Sequence, residues 1–172
     1  QISKKENCPG RQRESLIHII KWLQDAISGP EKCVVPVIAA INGHCIGGAV
    51  DLATACDLRY CTDDAIFSIK ETDLAMVADI GTLQRLPKLI GDMQSRELTY
   101  TGRNFDGKEA EKLGLVLKSF ATNEEMQSHI ITTTASIAAK SPLTTRGIKS
   151  TILYTRDHTV DDSLGQIQLH NA

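Results

Sequence analysis

The stretch Val37-Ile-Ala-Ala-Ile-Asn-Gly-His-Cys-Ile-Gly-Gly-Ala-Val-Asp51 reads as strand, turn and helix. Its first residues belong to a short run, Val34 to Ile41, that is β-branched and apolar on both faces. Such a run suits a buried strand, with Pro36 near its start, where a missing donor is tolerated. Asn42-Gly43 turns the chain, and Gly47-Gly48 opens a helix that runs to about Cys56. The first amides of a helix have no internal partner and carry the positive end of its dipole. Two glycines there let a ligand approach the backbone closely, so an amide near Gly48 can donate to a negatively charged oxygen. A phosphate loop would carry GxGxxG, or GxxxxGK followed by Ser or Thr. Here no Lys follows Gly48, and the charge of Asp51 opposes phosphate. A transient enolate oxygen fits better, because it needs only one or two donors aimed where charge develops. A tight strand–helix packing turn explains the same residues without any ligand.

Outward from this segment the pattern alternates. Residues 1–13 are polar and basic, with Pro9 and Gly10, and read as a loose lead-in. From Glu14 a helix is expected, with Leu16, Ile19, Ile20, Leu23 and Ile27 on one apolar stripe. Ile17 and Trp22 fall outside that stripe, which suggests cover on more than one side. Gly29-Pro30 stops the helix. Downstream, strands are expected near Leu58–Cys61 and Ala65–Ile69, and helices over Leu83–Ile90, Asp92–Tyr100 and Asp106–Leu113. Asp106 would be the N-cap of the last and Gly114 its stop. Leu115–Phe120 alternates as a strand. Asn123 can cap a helix with a buried stripe of Met126, Ile130, Ile131, Ile137 and Ala138, and Ser141-Pro142 starts a helix to about Tyr154. The sum is an α/β chain with a helical C-terminal region.

Composition narrows the function. The chain has 172 residues, 41% of them hydrophobic and 23% charged, enough for a core without disulfides or metal. A net charge of −2 supplies no basic excess to displace counterions from phosphates, which argues against nucleic acid. Aromatics at 4% argue against a base-stacking surface. Cys8, Cys33, Cys45, Cys56 and Cys61 lack CxxC spacing and read as free thiols of a reducing compartment. The longest apolar run has eight residues and is interrupted by Pro36, too short to cross a bilayer. No secretory signal opens the chain, and the start at Gln1 without Met suggests a piece of a longer polypeptide.

Three acids stand in apolar surroundings. Asp51 lies in the first turn of an apolar helix, Glu71 follows the strand Ala65–Ile69, and Asp79 interrupts Leu74-Ala-Met-Val-Ala-Asp-Ile-Gly81. Desolvation and mutual repulsion would shift such groups and prepare acid and base roles. Each also has an ordinary reading: Asp51 as a helix-start charge, Glu71 as a surface neighbour of Lys70, Asp79 as a cap. His44 reads as satisfying a local hydrogen bond, and no GxSxG elbow supports a serine hydrolase.

The run Val35-Pro-Val-Ile-Ala-Ala-Ile-Asn-Gly-His-Cys-Ile-Gly-Gly-Ala-Val-Asp-Leu-Ala-Thr-Ala-Cys-Asp-Leu-Arg-Tyr-Cys61 resembles the crotonase (enoyl-CoA hydratase/isomerase) superfamily, as does Gly81-Thr-Leu-Gln-Arg-Leu-Pro87. Resemblance extends from about Pro36 through Tyr154. Asp51 in Gly-Gly-Ala-Val-Asp, Glu71 in Ile-Lys-Glu-Thr-Asp, Asp79 in Val-Ala-Asp-Ile-Gly and the later Leu153–His158 look most like the Δ3,5-Δ2,4-dienoyl-CoA isomerases. The resemblance implies a ββα spiral with a C-terminal helical trimerisation region, the N-terminal part of the fold lying outside this sequence. Residues 1–115 would form the later part of the spiral core, and 116–172 the last strand and the helical oligomerisation region. It implies that the Gly48 amide is one of two oxyanion donors, that Glu71 and Asp79 transfer protons and that Asp51 lies beside them. Hydratases of the superfamily carry Glu at position 51 and normally Gly at position 79. The other oxyanion donor, in an Ala-Gly-x-Asp-Leu loop, would precede Gln1.

The implied reaction converts a 3,5-dienoyl-CoA to the 2,4-dienoyl-CoA in fatty-acid β-oxidation. A proton leaves C2, the thioester dienolate is held in the oxyanion hole, and a proton reaches C6. One carboxylate reaches both carbons poorly, so two acids are needed, and Glu71 is assigned to C2 and Asp79 to C6. The implied partners are an acyl-CoA substrate and further copies of the chain in a homotrimer or homohexamer. No metal and no cofactor beyond the CoA of the substrate is expected, nor nucleic acid or membrane. The implied location is peroxisomal or mitochondrial. The alternatives are an enoyl-CoA hydratase, a non-catalytic crotonase-fold assembly module and a nucleotide-binding turn at Gly43–Gly48.

Overall fold

A computed structural model describes residues 8–171. Helix α1 (Pro9–Ile27) and the short α2 (Gly29–Lys32) lead into β1 (Ile38–Ile41), β2 (His44–Ile46) and α3 (Gly48–Ala55). β3 (Leu58–Thr62) and β4 (Ile66–Ser68) follow, then a 3₁₀ turn (Lys70–Leu74), α4 (Thr82–Ile90) and α5 (Asp92–Thr101). The chain continues through β5 (Phe105–Asp106), α6 (Gly107–Leu113), β6 (Lys118–Phe120), α7 (Asn123–Ala138), α8 (Pro142–Thr155) and α9 (Val160–Asn171).

The strands form two small sheets, ordered β1-β3-β6 and β2-β4-β5. β1 and β2 are joined by the Asn42-Gly43 corner, yet they belong to different sheets. β3 and β4 repeat that step one layer on, each parallel to its predecessor. Two parallel pairs thus place whatever follows β2 beside whatever follows β4. Apolar residues from both sheets and from α3 to α6 close one core, with Val50, Phe67, Ile69, Leu86, Leu98 and Leu115 almost wholly buried. Phe67 stacks on Phe105 with ring centroids 5.3 Å apart. A second cluster of Tyr60, Phe120 and Met126 seats α7 against the first sheet.

Several expectations are corrected. The lead-in ends early: Pro9 takes the first helical position and α1 begins there, five residues before Glu14. Residues 1–7 lie outside the described part. No described residue of α1 is buried: Leu16 and Ile19 of its stripe are exposed, Ile20, Leu23 and Ile27 only half-buried, and Trp22, off the stripe, is 68% exposed rather than covered. The strand expected over Val34–Ile41 is confined to Ile38–Ile41. Val34 and Val35 are exposed, the Val35 carbonyl accepts from Lys149, and Val37 donates to the Asp57 carboxylate rather than to a ladder. Leu115–Phe120 is likewise a strand only from Lys118, because the Leu115 and Val116 amides fold back onto the Ala110 carbonyl. Thr122, not Asn123, caps α7 through its hydroxyl on the Glu125 amide. Of the stripe assigned to α7 only Met126 is buried, since only the face carrying Met126 and Ile130 meets the sheet. The Asp106 and Ser141 caps and the Gly114 stop stand where expected.

One polar lock joins distant parts of the chain. The Lys149 ammonium on α8 donates to the carbonyls of Pro30 (2.7 Å) and Val35 (3.0 Å) and to Asp57 Oδ2 (2.7 Å). That ion pair is largely dry, with side-chain exposures of 6% and 25%. Removing one member of such a pair strands the other charge. Lys149→Met is expected to cost about 3 kcal/mol, near the low end for breaking a buried pair because Asp57 keeps some contact with water. Urea unfolding of the intact protein, with the midpoint lowered at constant slope, would measure it.

Candidate active site

The Gly47-Gly48 turn lies at the end of β2. Gly47 has φ +57°, in the left-handed region, and its amide donates to the Ser68 carbonyl at the end of β4 (2.9 Å). The amides of Val50 and Asp51 fold back onto the Gly47 carbonyl (2.7 and 3.3 Å). The Gly48 amide opens α3 with no acceptor among the described residues. Ile80 lies near this residue: a Cβ on Gly48 would lie 3.7 Å from the Ile80 Cδ1.

Two of the acids singled out above meet at this turn. Asp51 is fully buried, and its Oδ1 accepts from the Thr82 amide, the first of α4. Its Oδ2 is buried without a partner among the described residues. Glu71 sits three residues past β4, in the 3₁₀ turn, and folds back over Gly47. A Cβ on Gly47 would lie 3.1 Å from Glu71 Oε1. Glu71 Oε2 is also buried and unpartnered among the described residues. The Glu71 carboxyl titrates above the usual glutamate range. Burial is the largest cause, and the charges of Asp51 and Asp79 push the same way, against a hydrogen bond from the residue's own backbone. Ala75, with φ +55°, ends the turn, and its amide and that of Met76 bond back to the Glu71 carbonyl.

Asp79 stands differently. It acts on Glu71 through its charge, but it is exposed. It is not a helix cap, since Gly81 holds that place at α4. Residues 76–81 line two cavities in turn, 76–78 one and 79–81 the other. Glu71 lines an apolar groove of about 440 Å³ with Ile69, Met76, Val77, Ala78, Leu83 and Pro87. Asp79 borders a polar cavity of about 700 Å³ between α1, α4 and α8, where Lys21, Lys32, Arg85, Lys88 and Arg156 face Asp25, Glu31 and Asp157.

His44 is exposed on β2, away from any of these roles. All five cysteines are free, and burial pushes the Cys45 and Cys61 thiols up to about 12. Among the described residues no group of three or more His, Cys, Asp or Glu side chains is placed to hold a metal ion, and no helix is long and apolar enough to cross a membrane. The Thr82 amide is a part of the site that residue-type reasoning passed over. A backbone donor leaves no mark in a side-chain pattern.

An unpaired helix-start amide, a sheltered carboxyl and an apolar groove thus stand side by side in an α/β fold. The chain belongs to the enoyl-CoA hydratase/isomerase family, which residues 13–169 match. It is 49% identical over 170 residues to the peroxisomal Δ(3,5)-Δ(2,4)-dienoyl-CoA isomerase of Arabidopsis thaliana, covering 99% of this chain and 61% of that protein. It is 47% identical over 154 residues to the mitochondrial isomerase of the same name from Mus musculus, covering 89% and 47%. A crystal structure of a Thermobifida fusca protein in complex with CoA superposes with a TM-score of 0.88 at 26% identity, covering 99% of this chain and 66% of that one. The fold is therefore the α/β crotonase fold with its C-terminal helices present. The chain spans 61% and 47% of the lengths of these two curated relatives.

The raised Glu71 pKa has a sign that can be checked. A carboxyl whose folded pKa lies above its unfolded value favours the fold fully below the ordinary value, near 4.5, and loses that contribution as pH rises through the folded value. Glu71→Gln is thus expected to melt above wild type at pH 7 and close to it at pH 4, in paired thermal melts. Equal differences at both pH values would contradict the burial argument.

Proposed function

We propose that the intact protein is a dienoyl-CoA isomerase that converts 3,5-dienoyl-CoA to 2,4-dienoyl-CoA. The observation that carries this reading is the Glu71 carboxyl, held against Gly47 beside the free Gly48 amide and kept at a raised pKa by burial and by Asp51 and Asp79. A base of raised pKa suits removal of a weakly acidic carbon-bound proton. In this reading the thioester oxygen accepts from the Gly48 amide while Glu71 removes the C2 proton. Negative charge then spreads onto that oxygen and along the diene, and the donor lowers the barrier by meeting it there. Asp79 delivers a proton to C6. Asp51, anchored on the Thr82 amide, keeps a negative neighbour beside Glu71. The apolar groove beside Glu71 takes the acyl chain.

The substrate class is supported by the isomerases at 49% and 47% identity and by the CoA-bound neighbour. The same relatives support a peroxisomal or mitochondrial location. The repetition of β1-β2 by β3-β4 supports the spiral. A homotrimer or homohexamer built on the C-terminal helices is supported by the exposure of Leu143, Ile148, Ile152 and Leu164 on α8 and α9.

The test is incubation of the intact protein with a 3,5-dienoyl-CoA while following the absorbance of the conjugated 2,4-dienoyl product. Glu71→Gln and Asp79→Asn are each expected to lower kcat by about 10²- to 10⁴-fold, the usual range for a lost acid–base group. Hydration of a 2-enoyl-CoA without isomerisation would overturn the proposal, as would wild-type turnover in both variants.

A further inference from the structure

We propose that Gln24, on the last turns of α1, is a positioning residue that sets where the Asp79 carboxyl meets the substrate. The inference rests on the isomerase reading above and adds a residue to it. Asp79 lies in the link between the 3₁₀ turn and α4. The amides of residues 77–81 find no backbone acceptor among the described residues, so neither helix nor ladder fixes this stretch. Ala78 is buried in the core and Ile80 lies near Gly48, but Asp79 between them is exposed, so its own side chain is not fixed by packing. Its carbonyl accepts a hydrogen bond from Gln24 Nε2 at 2.7 Å, across 55 residues of sequence. A carbonyl can only accept, so the amide nitrogen of Gln24, not its oxygen, must face it.

The same helix junction grips the link from its other end. Arg85 on α4 donates through Nη2 to Ser28 Oγ (2.8 Å) and Glu31 Oε2 (2.8 Å), both at the α1–α2 junction. Its guanidinium lies against Gly81, where a Cβ would come within 1.9 Å of Nη1. Residues 79–81 are therefore held between Gln24 and Arg85. Arg85 acts on α4 as a whole, whereas Gln24 bonds to the Asp79 backbone itself. With that bond lost, the carboxyl is free to drift. A displacement of about 1 Å in a reacting group can cost on the order of 100-fold in rate.

The reaction offers a readout that a general loss of folding would not move. The C2–H bond breaks first, and the dienolate then either gains a proton at C6, giving product, or takes one back at C2, regenerating substrate. In deuterium oxide the second path leaves deuterium at C2 of recovered 3,5-dienoyl-CoA each time the Glu71 carboxyl exchanges its proton with solvent before returning it. A misplaced Asp79 slows only the first path. In the intact protein, Gln24→Leu is expected to lower kcat by about 10- to 100-fold with KM unchanged. It should also raise the ratio of C2-deuterated substrate to product. Gln24→Lys, whose ammonium can still donate to the carbonyl, should bring both back toward wild type. Wild-type kcat and ratio in Gln24→Leu would overturn the inference, as would an equal fall in exchange and isomerisation. Asp79→Asn, measured alongside, separates the two levels. If it turns over like wild type, the isomerase role of Asp79 fails whatever Gln24 does.

Discussion

The site depends on a close approach between a carboxylate and a backbone. Glu71 folds over the chain where β2 passes into α3, and the nearest carboxyl oxygen occupies space that a side chain on residue 47 would contest. Gly47 also takes a positive φ, which an L-residue with a side chain adopts at a cost. One position thus satisfies two demands: it aims the start of α3 and admits the acid beside it. Both follow from the parallel pairing of β2 with β4. The Gly47 amide extends that ladder by one bond, which fixes how far the chain after β4 travels before it turns back.

Collecting acids at one point opposes folding. Asp51 and Glu71 each keep an unpartnered oxygen away from water, and neither has a cation against it among the ion pairs described. Direct compensation comes from backbone amides alone, that of Thr82 to Asp51 and that of Glu71 to its own carboxyl. The remaining support is remote. Lys149 joins α8 to the residues that enter β1, and buried Arg59 donates to the carbonyls of Leu115 (2.6 Å) and Cys56 (2.7 Å). These contacts pin the strand ends from the far side of the core and leave the carboxylate cluster unneutralised. A salt bridge at Glu71 would stabilise the fold but hold its carboxyl at low pKa, contrary to the base role proposed for it.

Where a residue's role follows from its immediate neighbours, the sequence is a good guide. Gly47-Gly48 announces the start of α3, and Asp106 and Ser141 announce theirs, because a cap acts within three residues of itself. Asp51 is legible as an acid in an apolar helix and Glu71 as an acid directly after a strand. Their meeting was harder to foresee, since it depends on two strands of only three residues each, β2 and β4, too short to show an alternation. The same shortness hid β5. The stripes of α1 and α7 marked apolar faces correctly but not what those faces touch. Periodicity reports that a helix has an apolar side and is silent on whether the rest of the chain reaches it. Contacts across large sequence separations, such as Thr82 to Asp51, leave no local trace at all.

The different exposures of Glu71 and Asp79 bear on how the cycle proposed for them would reset. After one turnover Glu71 holds the proton taken from C2, while Asp79 lacks the one given to C6. Both must return to their starting forms. Asp79 borders the open polar cavity and can recover a proton from water without passage through the groove. Glu71 is half-buried beside apolar side chains, where water would compete for the dienolate. An arrangement with both acids sheltered would slow the exchange with solvent, and one with both exposed would lose the desolvation that raises Glu71. Asp79 at the mouth of the polar cavity and Glu71 in the apolar groove meet both requirements.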